Sequence, residues 1–178
     1  MFWNKKQKTA ERSTPPGYFP YPQRYCWLYI SSKYKEILFV PTGQITPWVS
    51  AELDAVMVRE WPMNIGDLQD CIQQTLDAWK ASIPDTTRPD NKNWHSFNAA
   101  KAKTQQSFKV DYVQMRLITD MTRPYGEAEV ERLIIKAAPF DFWENNSYAL
   151  VGQTHLLETK VAQVVMDIFD ACEKIRTQ

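Results

Sequence analysis

The stretch from Thr159 to Ile175, TKVAQVVMDIFDACEKI, constrains the fold of this chain more than any other. Val161, Val165, Ile168, Cys172 and Ile175 recur at three- and four-residue spacing, so a helix here carries one continuous apolar face. Val164 and Phe169 widen that face, while Gln163, Asp167, Asp170, Glu173 and Lys174 turn to water. Such a helix has to lie on an equally apolar surface, and a sheet is the expected support.

The rest of the chain supplies the strands. Tyr25 to Ile30 and Glu36 to Val40 are rich in aromatic and β-branched residues around Ser31-Ser32-Lys33-Tyr34-Lys35, which predicts a hairpin ended by Pro41, Thr42 and Gly43. Thr46-Pro47 reads as a cap and first-turn proline, so Ile45 to Glu52 can open a short helix. Ala55 to Trp61 is strand-like up to Pro62. Ile65, Leu68, Ile72, Leu76, Trp79 and Ile83 mark a second amphipathic helix over 65–82, capped by Asn64. Residues 84–93 are turn-formers. A short helix is expected over 94–106, then strands over 108–119 (with a bulge near Val113), 130–137 and 148–151. The expected fold class is therefore α+β: a single domain over residues 25–178, its mostly antiparallel sheet packed by two long amphipathic helices. Residues 1–24 form an N-terminal arm, extended by Pro15, Pro16, Pro20 and Pro22, with Tyr18, Phe19 and Tyr21 draped on the domain.

Composition bounds the function. A chain of 178 residues buries well over half of its unfolded surface as one domain. Its 21 basic and 21 acidic residues cancel, which argues against a dedicated nucleic-acid binder. Seven Trp, eight Tyr and eight Phe mostly serve the core, and Trp and Tyr are also favoured interface anchors. Cys26, Cys71 and Cys172 lack a C-x-x-C pairing and read as small buried thiols of a reducing compartment. No apolar run follows Lys5, Lys6, Lys8 and Arg12, and no stretch nears the ~20 apolar residues that span a bilayer. A cytoplasmic protein with no membrane partner is expected.

Catalytic signatures are missing from the sequence. His95 and His155 have no neighbouring ligand partner, and the five glycines form no phosphate-cradling fingerprint. The expectation is no enzyme, no catalytic residue, no metal and no cofactor. Two charge patterns remain. Lys92, His95, Lys101, Lys103 and Lys109 form a basic block uninterrupted by acid, the basis of an alternative nucleic-acid-binding module. Glu127, Glu129 and Glu131 alternate along the approach to a strand, where they repel one another unless they meet solvent or a basic partner.

From Trp94 onward the chain resembles the immunity proteins of bacterial contact-dependent growth inhibition. The resemblance rests on Ser96, Phe97 and Lys101 in WHSFNAAK, then paired strands over 108–119 and 130–137, then the helix over 159–175. AVMVREWP leading into IGDLQDCIQQTLDAW is similar in style, whereas the glycine often seen near the start of the closing helix is absent. The resemblance implies a non-catalytic inhibitor that binds and neutralises the toxic C-terminal domain of a sibling cell's effector, often a nuclease, with no direct contact to nucleic acid. For such a partner the expected binding residues are Tyr125, Glu127, Glu129, Glu131, Asp141, Trp143 and Glu144, an acidic face bordered by aromatic anchors.

Overall fold

The computed structural model describes residues 24–46, 49–84, 94–122, 130–139, 150–155 and 161–177, with the backbone alone for 120–122, 130–132 and 155. Its strands are β1 (Tyr25–Ser31), β2 (Glu36–Thr46), β3 (Val49–Glu52), β4 (Met57–Glu60), β5 (Val113–Thr122), β6 (Val130–Ala138) and β7 (Leu150–His155). Its helices are α1 (Ile65–Asp77), α2 (His95–Ala99), α3 (Gln105–Asp111) and α4 (Val161–Arg176). The seven strands form an antiparallel sheet in the order β3-β2-β1-β5-β6-β7, and β4 pairs with the other end of β2. The α+β class holds.

Alternation in the strands sorts residues between two faces. Cys26, Leu28, Ile30, Ile37, Phe39, Met115, Leu117, Leu133, Ile135 and Ala137 point to one side, where α1 and α4 cover them in the main core. On α4 the buried residues are Val161, Ala162, Val165, Ile168, Phe169 and Cys172, the face its spacing specified. On α1 they are Leu68, Cys71, Ile72, Thr75 and Leu76, with the Asn64 side chain accepting from Asp67 N at 2.8 Å as the cap. Trp61, just ahead of α1, meets Phe169 of α4 edge-on at 5.0 Å, and Gln69 of α1 accepts from Ala162 N at 3.1 Å through its side chain. Arg176, at the far end of α4, donates to the carbonyls of Pro139 at 2.5 Å and Tyr112 at 3.0 Å, tying the helix end to the sheet. All three cysteines are buried and unpaired in disulfides, as expected.

Three expectations need correction. First, β2 does not end at Pro41 but runs to Thr46, and residues 49–52 form β3 in the stretch whose sequence is ambiguous and leaves a short helix open. Pro41 carries no N–H, yet its carbonyl accepts from Leu53 N at 2.8 Å, so the strand passes through the proline. Second, α1 stops at Asp77, and Trp79 and Ile83 are not helical. Because β1 begins only at Tyr25, one edge of β2 beyond Thr42 is left free, and Lys80–Ile83 fills it. Lys80 N donates to Thr42 O at 3.1 Å, Gln44 N to Lys80 O at 2.9 Å and Ile83 N to Gln44 O at 2.9 Å. Gly43 makes this possible: a Cβ there meets Ile83 Cγ2 at 2.6 Å. Third, Phe108–Asp111 is helix α3 rather than strand, and the irregularity near Val113 is the junction where β5 starts. A reciprocal cap between Thr104 and Ser107 starts that helix. Phe108 and Tyr112, four residues apart, then both reach the sheet.

Candidate functional site

The second face of the sheet is divided. The part over β1 and β2 is covered by residues 94–112, which lie on Tyr29, Leu38 and Val40. Phe108 is the hub of this cover. Its ring contacts Tyr29 at 4.9 Å, Trp94 at 5.4 Å, Phe97 at 5.8 Å and Tyr112 at 4.7 Å. Aromatic packing alone is not directional enough to set the register of so short a segment, and two glutamates of the sheet do that. Glu52, at the end of β3, accepts from Ser96 N at 2.8 Å, Ser96 Oγ at 2.7 Å and Tyr29 OH at 3.2 Å. Gln114 in turn donates to the Tyr29 hydroxyl at 3.2 Å. Glu36, at the start of β2 and buried, accepts from Lys101 N at 2.8 Å and from the Tyr112 hydroxyl. The Lys101 ammonium stands 3.5 Å from the other Glu36 oxygen and donates to Tyr34 O at 3.1 Å.

These environments set the protonation chemistry. Burial is the main cause that lifts the Glu52 pKa above the ordinary value, and the Ser96 and Tyr29 donors offset it only in part. Burial, then the adjoining Glu36 carboxylate, keeps the Tyr112 hydroxyl protonated. His95 lies 3.4 Å from Asp54, at the rim of the cover. The lone pairs of Glu52 are taken up by internal donors, so its role is to pin α2 to the sheet. Ser96, Phe97 and Lys101, the residues carrying the family resemblance, are thereby brought together around Glu36 and Glu52.

Over β5, β6 and β7 no described helix covers this face. Register lines up two rows across the strands: Tyr25, Ile118, Ile134 and Gln153, then Trp27, Arg116, Lys136 and Val151. The Arg116 guanidinium sits over the Tyr25 ring at 4.5 Å and the Trp27 ring at 5.4 Å. Tyr25 and Trp27 meet edge-on at 6.5 Å, so the two rings brace each other. Arg116 Nε is buried without a hydrogen-bond partner, and no carboxylate answers the guanidinium among the described residues. Val151 is 64% exposed on β7, whose outer edge pairs with no described strand.

The residues expected to bind a partner are mostly elsewhere. Tyr125, Glu127, Glu129, Asp141, Trp143 and Glu144 lie outside the described residues, and Glu131 is placed by its backbone in β6, opposite Met121. Of the basic block, Lys101 is drawn into the Glu36 pin, and Lys92 lies outside the described residues. Glu36, Glu52 and Arg116 were not singled out by their sequence. A signal for Arg116 is present nonetheless: Gln114 and Arg116 alternate with buried Met115 and Leu117, the pattern of a strand with one greasy and one polar face. Among the described residues no cluster of His, Cys, Asp or Glu is placed to hold a metal, and no helix is long and apolar enough to cross a membrane. No family model, no curated protein and no solved structure matches the chain.

Proposed function

We propose that this chain is an immunity protein of the contact-dependent growth inhibition type, which binds and neutralises a cognate toxin domain in the cytoplasm of the cell it protects. The inhibition is by association, without catalysis, and the toxin is a nuclease. One observation carries the reading. The WHSFNAAK segment is fastened to the sheet by Glu52 on Ser96 and Glu36 on Lys101. A segment pinned in this way is preorganised, and preorganisation lowers the ordering cost of tight association. The acidic residues Glu127, Glu129, Glu131, Asp141 and Glu144, with Tyr125 and Trp143 as aromatic anchors, supply the charge that complements a basic nuclease.

The test is to co-express the chain with the toxin domain encoded in the neighbouring reading frame. A stoichiometric complex, loss of nuclease activity in that complex and rescued growth are expected. A toxin domain that stays free and active in the presence of excess chain overturns the proposal.

A further inference from the structure

We propose that the outward face shared by α1 and α4 docks a protein partner through a basic surface of that partner, with Ile65 and Met166 as the apolar centre of the contact. The inference takes the partner's basic charge from the function proposed above and adds the place where it docks.

The two helices lie side by side on the main core. Gln69 bonds to Ala162 at one end of their contact and Trp61 meets Phe169 at the other, so the chain runs in opposite directions through them. Residue 65 is therefore level with residue 166. On α1, Ile65 shares a flank with Gln69, and on α4 Met166 shares one with Ala162, each pair being four residues apart. Both flanks are the ones turned toward the neighbouring helix, and the apolar pair borders the seam between them. Ile65 is 42% exposed at the first position of its helix, and Met166 is partly buried against the core.

Charge around this pair has one sign. Asp67, Asp70 and Asp77 of α1 and Asp167 and Asp170 of α4 are exposed, and neither residues 61–79 nor residues 161–173 contain a lysine or an arginine. A field of one sign draws in a partner of the opposite sign and rejects one of its own. Phosphate backbones and anionic lipid surfaces are rejected on that ground. The acids are spread over two helices, and among the described residues no group of His, Cys, Asp or Glu is placed to hold a metal, so an extended basic surface fits better than a single cation. An apolar centre inside a polar rim is the usual anatomy of a protein interface, and the unbranched thioether of Met166 adapts to what it meets.

The experiment uses the full chain and the toxin domain encoded in the neighbouring reading frame. Asp70→Lys with Asp170→Lys reverses one charge on each helix and leaves Asp67 on Asn64 and Asp167 on Gln163. Ile65→Ser removes the apolar centre. The double variant should associate ~10-fold or more slowly than the wild type at low salt, with the difference fading as salt rises. Ile65→Ser should dissociate ~10-fold or more faster. Both should keep the circular dichroism and thermal midpoint of the wild type, because both change exposed positions. Should the double variant unfold, Asp70→Asn with Asp170→Asn carries the same test with a smaller expected slowing. A complex that forms with wild-type rates in these variants overturns the docking face and leaves the proposed function standing. A toxin domain that does not bind the wild type overturns that function, and this partner with it. Self-association of the wild type that Ile65→Ser abolishes gives the face to a second copy of the chain and overturns the proposal.

Discussion

Glu52 shows how one residue couples local chemistry to stability. Its carboxyl is raised above the ordinary range, burial being the first cause, so the folded protein holds that proton more tightly than the unfolded chain does. A group shifted in that direction stabilises fully below its unfolded pKa, and the contribution disappears as pH rises through the folded pKa. The wild type should therefore lose stability as pH climbs from about 4, the ordinary carboxylate range, through the raised value. Glu52→Gln should lack that component, because an amide holds the pin without titrating. Urea midpoints measured against pH for both proteins check this, and parallel curves would assign the slope to other groups. Glu52→Ala should cost about 1–3 kcal/mol, since the Ser96 donors lose their acceptor. Two of the thiols are inert by the same physics: burial pushes Cys172 up to about 11 and Cys26 higher still, so neither is a thiolate at neutral pH.

At the scale of elements, α4 on β7 is the contact most open to test. Ile168, 9% exposed, packs where Gly152 has no side chain: a Cβ on Gly152 meets Ile168 Cδ1 at 2.7 Å and Val164 Cγ1 at 2.9 Å. Ile168→Ala should cost about 2–5 kcal/mol by cavity formation, and Gly152→Ala about 1–3 kcal/mol by overpacking. Together they should cost less than their sum by roughly 0.5–3 kcal/mol, because one supplies the space the other needs. Denaturant midpoints of the three variants decide it, and strict additivity would mean that the helix does not seat on Gly152. Periodicity made α4 and most of α1 legible, because each buries a continuous stripe on the same support. It misjudged 79–83 and 108–111, where the deciding partner is remote: the free edge of β2 in one case, Tyr29 and Leu38 beneath Phe108 in the other.

For the whole molecule, the question is which surface meets a partner, and charge gives a kinetic answer. On the proposed function, Glu129→Lys with Glu131→Lys should slow association with the toxin domain at low salt. Association rates across a salt series check this, and equal rates for both proteins at low salt would move the site away from the acidic run. What the sequence determined alone was the α+β class, the hairpin of β1 and β2, the apolar faces of both long helices and the burial of three thiols. Those follow from spacing within one segment, which the chain carries wherever it folds. Tertiary structure alone decided that Glu36 and Glu52 pin the WHSFNAAK segment, and that Arg116 lies between two rings opposite Lys136. Each of these joins residues tens of positions apart in sequence, and strand order, which sets such meetings, is chosen by the packing of the whole sheet rather than by any one strand.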